Sequence, residues 1–185
     1  MSDETTSPGS ASGGMVTTTP RLAIREFTAE DAPFIVRLLN DPDWIRFIGD
    51  RNIRSDEDAR AYLARGPIAM YARHGFGLWL VARREDGEPV GMCGLIKRDS
   101  LPDVDVGFAF LPPYRRLGYA EEAASAVMAL ASTRYGLTRV VAIVSPDNAR
   151  SRRLLEKLGM VEEGMAPSTD VQLPTMLYTR ELTTG

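Results

Sequence analysis

Cysteine, histidine and long apolar runs are scarce in this chain of 185 residues. Its one cysteine, Cys93, excludes an internal disulfide framework, as is usual in a reducing compartment. Its one histidine, His74, lies in a turn-like stretch without clustered cysteines or acids, which makes a metal site there unfavourable. No apolar run approaches the roughly 18 residues of a membrane span, and the N-terminus lacks an apolar signal core. We therefore expect a cytoplasmic protein that neither enters a membrane nor binds a metal.

An excess of positive charge is also missing. The chain has 22 lysines and arginines against 25 acidic residues, so electrostatics gives no general reason to expect a nucleic-acid partner. Hydrophobic residues make up 44% and charged residues 25%, which is typical of a globular protein. Residues 1–19 are mostly Ser, Thr, Gly and Pro. This composition predicts a disordered leader, followed by one domain at residues 20–185.

The first half of the domain carries one strand signal and two helix signals. Residues 21–26 alternate apolar and polar side chains, as in a half-buried strand. Thr28 with Asp31, and Ser55 with Asp58, have the spacing of a capping box with aspartate in place of glutamate. Each pair precedes apolar residues at helical spacing. We therefore expect a strand and then two helices.

Three strand-like runs follow, at residues 77–83, 89–96 and 104–111, with a strong hairpin signal between the first two at residues 86–87. A long helix then ends near Gly136, and residues 139–145 form a nearly continuous apolar run. A helix at residues 149–158 and a strand within residues 174–182 complete the pattern. The order predicts a single α/β (α+β) domain, with a mixed central sheet of six to seven strands and about four helices.

A turn with two arginines and a glycine opens the long helix, whose first turn is expected at residues 116–121, ending at Glu121. The unpaired amides and the dipole of a helix start attract anions, and Gly118 lets the backbone approach a ligand closely. Arg115 and Arg116 add donors suited to phosphate oxygens. These features favour a diphosphate site. The alternative is a solvated basic turn with a glycine for helix packing.

Two segments resemble the GNAT N-acetyltransferase superfamily. Residues 115–120, "RRLGYA", match its R/Q-x-x-G-x-G/A motif. The segment "VSPDNARSRRLLEKLGM" is similar to its fifth strand, asparagine loop and fourth helix. The resemblance covers about residues 20–182 and is greatest to the branch of ribosomal-protein alanine N-terminal acetyltransferases (RimJ/RimL type). It implies a GNAT-like fold and acetyl-CoA as co-substrate.

The resemblance also implies roles for individual residues. The pyrophosphate of coenzyme A would lie on backbone amides of the turn, at Arg116, Leu117, Gly118, Tyr119 and Ala120. The pantetheine arm would pair, like an added strand, with the backbone of Phe108, Ala109 and Phe110. Asn148 would contact the arm near the thioester. The alternative for Asn148 is a helix cap.

The implied reaction is direct transfer of acetyl to a primary amine, which is a protein N-terminus or a small molecule. Asp105 is the candidate base, acting through water, and its alternative is a solvated strand face shared with Asp103. A backbone N–H at a bulge of this strand would stabilise the thioester oxyanion. Ser151 is a second catalytic candidate, or else a hydroxyl that satisfies backbone at the helix start. Leu155 stands where relatives carry a proton-donating tyrosine.

That replacement leaves a second function open, a CoA or acyl-CoA binding module without catalysis. Trp44, Phe47 and Ile48 lie where this family shapes its acceptor pocket, although core positions would suit them equally. Cys93 is expected to be a small buried hydrophobe. The protein is expected to act as a monomer or a homodimer.

Overall fold

The computed structural model describes residues 13–167 and 173–183, and all structural statements refer to these ranges. Eight strands are present: β1 (Met15–Thr18), β2 (Leu22–Arg25), β3 (Leu78–Arg83), β4 (Pro89–Ile96), β5 (Val104–Phe110), β6 (Arg139–Val144), β7 (Val161–Met165) and β8 (Met176–Glu181). Six α-helices are present: α1 (Ala32–Leu39), α2 (Pro42–Phe47), α3 (Asp56–Arg65), α4 (Pro67–His74), α5 (Tyr119–Thr133) and α6 (Ala149–Lys157).

All eight strands form one sheet in the order β1-β2-β3-β4-β5-β6-β8-β7. Neighbouring strands are antiparallel except β5 and β6, which are parallel and joined through helix α5. The hairpin between β3 and β4 turns at Gly87, whose φ of 74° needs the left-handed conformation that glycine adopts freely. The mixed α/β fold is thus confirmed, with two more helices than expected and one strand beyond the expected range.

Helices cover both faces of the sheet. On one face, α5 and α6 pack against alternate strand residues such as Trp79, Cys93 and Val106. On the other, α1 to α4 pack against residues of the opposite phase, such as Leu80 and Met92. The alternation follows from the strand period of two, which sends successive side chains to opposite faces. Asp105 belongs to the second face, because its neighbour Val106 belongs to the first.

The capping signals predicted α1 and α3 correctly. The Asp58 carboxylate accepts the Ser55 backbone N–H at 3.0 Å, and Ser55 Oγ accepts the Asp58 backbone N–H at 3.1 Å. The Asp31 carboxylate accepts the Thr28 backbone N–H at 2.8 Å, ahead of a short 3-10 turn that leads into α1.

Two helices were not expected, α2 and α4. Asp41 caps α2 by accepting the Trp44 backbone N–H at 3.2 Å, and Pro42 occupies its first position. Proline likewise begins α4, which ends at Gly75 with a φ of 76°. Proline at the first helical position is favourable, since the N–H that it lacks would have no partner there.

The expected leader at residues 1–19 is wrong at its C-terminal end. Residues Met15–Thr18 form strand β1, which pairs antiparallel with β2, so ordered structure begins before residue 20. The remainder of the expected leader, residues 1–12, lies outside the described ranges. Strand β7 was also unexpected, because its sequence "VEEGM" is largely exposed and polar, as an edge strand tolerates.

Candidate functional site

The two parallel strands at the centre of the sheet, β5 and β6, pair at only two positions within the described ranges and then separate. Val104 lies opposite Val140 and Asp105 opposite Val141, and no later residue of β5 pairs with β6 within the described ranges. Residues 107–110 continue to pair with β4 on their other side. The edge of β5 that faces β6 therefore presents backbone N–H and C=O groups without strand partners, as an extended ligand requires.

The pairing of β4 with β5 corrects one expectation. Its register runs without interruption from Ile96 opposite Asp105 to Gly91 opposite Phe110. The bulge that was expected in this strand is therefore absent. Any backbone donor for an oxyanion must come from the open edge of β5, where regular strand geometry alternates N–H and C=O groups.

The arginine–glycine turn leads from β5 to the N-terminus of α5. The helix begins at Tyr119, three residues later than expected, because Arg116 and Gly118 both adopt left-handed backbone conformations. Their φ angles are 61° and 82°. Gly118 is the N-cap residue, and a Cβ placed on it would approach Arg21 Nη2 to 3.1 Å. The turn therefore combines the unpaired amides of a 15-residue helix with a backbone that favours glycine.

Arg115 does not supply its guanidinium to this turn, contrary to expectation. Its Nε donates to the carbonyl oxygen of Phe110 at 2.8 Å and its Nη1 to the Asp43 carboxylate at 2.8 Å, while Nη2 contacts Asp41. Asp41 is only 6% exposed. A buried carboxylate needs a counter-charge, so Arg115 is a structural link between the turn and α2 rather than a donor to an anion.

Arg21 is a part of the site that sequence analysis did not predict. Its Nη1 donates to the carbonyl oxygen of Leu117 at 2.8 Å, and its Nε donates to the Glu122 carboxylate at 2.6 Å. The guanidinium also lies over the Tyr119 ring, 4.6 Å from the centroid. Burial alone would raise the pKa of Glu122, but hydrogen bonds from Thr19 and Arg21 lower it below its usual value. Arg21 thus connects the start of the domain with both sides of the helix N-terminus.

A groove of about 250 Å³ lies along the open edge of β5 and the start of α5. Every expected cofactor residue except Leu117 lines it: Phe108, Ala109, Phe110, Arg115, Arg116, Gly118, Tyr119, Ala120, Glu121 and Asn148. Leu117 is 48% exposed and lies outside the lining. Helix α2 forms the opposite wall. The structure therefore brings residues from three separate segments, within 38–48, 108–121 and 148–154, together around one elongated depression.

A second cavity, of about 320 Å³, lies in the gap between β5 and β6, and we call it the inner cavity. It adjoins the groove, since the two share these lining residues: Trp44, Phe47, Ile48, Phe108, Ala109, Asn148 and Ser151. Of these residues Trp44 also belongs to the core beneath α1, and the acceptor-pocket role of Trp44, Phe47 and Ile48 stays a prediction. The Trp44 Nε1 donor is buried and has no hydrogen-bond partner among the described residues.

Asp105 lines the inner cavity but is not a solvated acid of a strand face. It is 2% exposed, and its carboxylate accepts a hydrogen bond of 2.8 Å from Arg98 Nε. Asp103 is partly exposed and lies 3.4 Å from Arg139. The two acids therefore have different environments, since Asp105 is buried beside Arg98 and Asp103 is partly exposed beside Arg139.

Asn148 and Ser151 meet at the start of α6, where both line the groove and the inner cavity. The Asn148 side chain accepts the Ser151 backbone N–H at 3.2 Å, so Asn148 caps the helix as its alternative interpretation expected. The Ser151 hydroxyl does not satisfy backbone, and no hydrogen bond to it occurs within the described parts of the chain. That hydroxyl is available to a ligand.

The remaining candidates are structural. Cys93 is fully buried, and burial raises the pKa of its thiol, as suits a core hydrophobe. His74 ends α4 and stacks on Phe76 with a centroid distance of 5.7 Å. Across residues 13–167 and 173–183, no three His, Cys, Asp or Glu side chains are grouped to hold a metal ion. Within the same residues, no helix is both long and apolar enough to cross a bilayer.

Comparison with known proteins agrees with this geometry. Residues 21–161 match the family model of the acetyltransferase (GNAT) domain. A Bacillus subtilis protein named as the uncharacterized N-acetyltransferase YoaA is 30% identical over 148 residues, covering 80% of this chain and 83% of its own.

Two solved structures share the fold. An acetyltransferase from Agrobacterium tumefaciens superposes with a TM-score of 0.78 at 22% identity, over 96% of this chain and 99% of its own. RimL, a ribosomal L7/L12 alpha-N-protein acetyltransferase solved in complex with coenzyme A, superposes with a TM-score of 0.71 at 15% identity, over 92% and 99%. The resemblance drawn from the two sequence motifs is confirmed. With the family model matching most of its length, this chain belongs to the GNAT family of acetyltransferases.

Proposed function

We propose that this protein transfers the acetyl group of acetyl-CoA directly to a primary amine, with both substrates bound at once. The observation that carries the proposal is the open edge of β5, which runs from the inner cavity to the glycine turn at the start of α5. A site suited to a diphosphate thus lies in a groove that adjoins a cavity large enough for a small acceptor.

The diphosphate of coenzyme A is assigned to the N-terminal turn of α5. Backbone amides of residues 116–120 are the donors, and the macrodipole of the helix adds partial positive charge. Arg116 lines the groove and forms no ion pair within the described residues, so its guanidinium can serve phosphate oxygens. Arg115, with its bonds to Asp41 and Asp43, fixes the other end of the turn.

The pantetheine arm is assigned to the edge of β5 between Phe108 and Phe110. An amide-containing chain in that position pairs with the strand by backbone hydrogen bonds, as an added strand does. Asn148 and Ser151 face the same groove from α6. The thioester would then lie where the groove meets the inner cavity, within reach of the Ser151 hydroxyl.

In the reaction, the amine nitrogen bonds to the acetyl carbonyl carbon and the carbon–sulfur bond breaks, with its electron pair remaining on sulfur. One proton leaves the nitrogen and one is taken up by the thiolate, so the products are an amide and free coenzyme A. Asp105 is the candidate to accept the proton, through water, because it is the acid that lines the inner cavity. The Ser151 hydroxyl is the candidate donor to sulfur, since Leu155 cannot act as an acid.

The experiment begins with a calorimetric titration of the full chain with acetyl-CoA, followed by measurement of released thiol with a panel of amines. Gly118→Glu should abolish binding, because it adds charge and bulk at the diphosphate position. Gly136→Glu is the matched control, since Gly136 ends the same helix with a φ of 64° and a Cβ there meets no neighbour. Equal affinity in both variants would place the cofactor elsewhere.

Turnover separates the proposed function from its alternative, a binding module without catalysis. The Arg98–Asp105 ion pair and the apolar Leu155 are the observations that favour the alternative. A binding module retains acetyl-CoA without releasing thiol above the rate without protein, in the presence of any amine. An enzyme releases one equivalent of thiol for each acetylated amine.

A further inference from the structure

One charged side chain of the inner cavity lies outside any ion pair with the described residues. Among the residues that the structure describes, three charged side chains line it: Arg51, Arg98 and Asp105. Arg98 and Asp105 form a buried ion pair at 2.8 Å, with side-chain exposures of 15% and 3%. The charges of this pair compensate each other, so the excess positive charge of the lining lies on Arg51.

Within the described residues, Arg51 and Arg116 are the two arginines lining these cavities that form no ion pair, and of the two only Arg51 lines the inner cavity. Arg98, Arg115 and Arg150 each form an ion pair with an aspartate. The acid next to Arg51 in sequence, Asp50, is held by Arg54 at 2.5 Å. Arg51 forms no ion pair with any residue of the described ranges, although it lines a cavity and is exposed to solvent at its mouth.

The chain between α2 and α3 places Arg51 at that mouth. Gly49 and Asn52 on either side of it both have left-handed backbone conformations, with φ angles of 112° and 55°. Arg54 fixes the segment by donating to the Asn40 side chain at 2.8 Å as well as to Asp50. The guanidinium of Arg51 therefore projects from a supported loop rather than from a free end.

An uncharged polar group of the inner cavity adds a further donor. Tyr62 lines the cavity, and its hydroxyl has no hydrogen-bond partner within the described residues. Burial raises the pKa of Tyr62, against the opposing effect of the Arg51 and Arg98 guanidinium groups, so the hydroxyl keeps its proton at neutral pH. Donors without acceptors match a ligand that brings acceptor oxygens.

We propose that the acceptor is a small primary amine that carries a carboxylate, and that Arg51 binds this carboxylate at the mouth of the inner cavity. The inference rests on the proposed acetyl transfer and names its substrate class. A volume of about 320 Å³ lies at the lower end of the range for small-molecule cavities, roughly 300–1,000 Å³, so the acceptor is an amino acid or the first residues of an acidic peptide. A second positive charge on the acceptor would be repelled by Arg51.

The test compares acceptors that differ in one group. Alanyl-glutamate amide, alanyl-glutamine amide and alanyl-lysine amide share the same reacting amine, and free alanine is compared with alaninamide to distinguish an amino acid from a peptide. Released thiol is measured with the full chain at saturating acetyl-CoA. We expect kcat/KM to be about tenfold higher for the acidic member of at least one set, as a charge-assisted hydrogen bond gives.

Arg51→Glu should remove that preference and improve the lysine peptide, without changing the affinity for acetyl-CoA. Arg60→Glu is the control, because Arg60 is exposed on α3 and lines neither cavity. Its substitution changes the net charge by the same amount as Arg51→Glu. Equal rates for acidic and neutral acceptors, a preference for lysine in the wild type, or the same response in both variants would overturn the inference. Bound acetyl-CoA with no reaction of any acidic acceptor would also overturn it, while leaving the cofactor site in place. If the wild-type protein did not bind acetyl-CoA, that result would instead contradict the proposed function.

Discussion

Arg21 Nη1 donates a hydrogen bond of 2.8 Å to the carbonyl oxygen of Leu117, across 96 residues of sequence. A carbonyl engaged by a guanidinium is held away from the groove, so the amides that follow it can face an anion. The start of the domain thereby determines the shape of the turn that the sequence motif defines, because Arg21 also binds Glu122 in the first turn of α5.

Arg21→Ala should weaken acetyl-CoA binding several-fold, because the Leu117 carbonyl loses its donor and the turn becomes less ordered. The loss in unfolding free energy should stay near 1 kcal/mol, since the Arg21 side chain is 47% exposed. Calorimetric titration and urea denaturation measure the two effects. Arg37→Ala is the control, because its ion pair with Glu88 is exposed and distant from the groove lining. Unchanged affinity in Arg21→Ala would show that the turn holds its shape unaided.

The contribution of Glu122 to stability should depend on pH only in the acidic range, below its usual pKa of 4.5. Its pKa in the folded protein lies below the usual 4.5, so its contribution is complete above that value and is lost as the pH falls through the lowered one. Glu122→Gln should lower Tm by about 2–4 °C at neutral pH, which corresponds to about 1 kcal/mol. The difference from the wild type should shrink below about pH 4.5.

Thermal denaturation from neutral to acidic pH checks the Glu122 prediction. Glu121→Gln serves for comparison, because the Glu121–Lys157 pair is more exposed and should give a smaller effect. A constant difference between wild type and Glu122→Gln at every pH would contradict the lowered pKa.

The adjacent residues Arg115 and Arg116 should have separable roles. Arg115→Ala leaves the Asp41 carboxylate buried without its counter-charge, and we expect a loss of about 3–5 kcal/mol in unfolding free energy. Arg116→Ala should leave stability nearly unchanged and weaken acetyl-CoA binding, because its guanidinium faces the groove without an ion pair in the described structure. Urea denaturation and calorimetry on both variants give the comparison. If Arg115→Ala weakened acetyl-CoA binding and Arg116→Ala lowered stability, the structural and cofactor-binding roles of the two residues would have to be exchanged.

Asp105→Asn tests the candidate base. The amide oxygen can still accept from Arg98, so the fold and the affinity for acetyl-CoA should be retained while kcat falls by about 100-fold. The pH–rate profile is the decisive measurement, since a structural role for Asp105 would not change its shape. Identical profiles for wild type and variant would remove Asp105 from the mechanism.

Local signals predicted most elements of the fold. Capping pairs, the Asp86–Gly87 hairpin and the apolar periods of α5 and β6 depend on residues close in sequence, and all were found as expected. Helix α2 was not predicted, because Asp41 and Pro42 are as typical of the end of one helix as of the start of another. The two residues lie between α1 and α2, and the sequence alone does not show that α2 begins directly after α1 ends.

Long-range partners explain the other differences. Nothing near Arg115 in sequence shows that Asp41 and Asp43 neutralise it from more than 70 residues away. The burial of Asp105 likewise depends on residues distant in sequence, and the loop after α2 brings Arg51 to the mouth of the inner cavity. The roles assigned to individual site residues, the cytoplasmic location and the oligomeric state stay predictions.

The separation of β5 from β6 has a consequence for the whole molecule. Only Val104–Val140 and Asp105–Val141 connect the five-stranded and three-stranded halves of the sheet in the parts described. A ligand in that gap would add backbone hydrogen bonds at the place where the two halves of the sheet share the fewest such bonds. Product release would then weaken the connection between the two halves, and binding of the next acetyl-CoA would restore it. The free energy of unfolding would therefore rise with the concentration of acetyl-CoA.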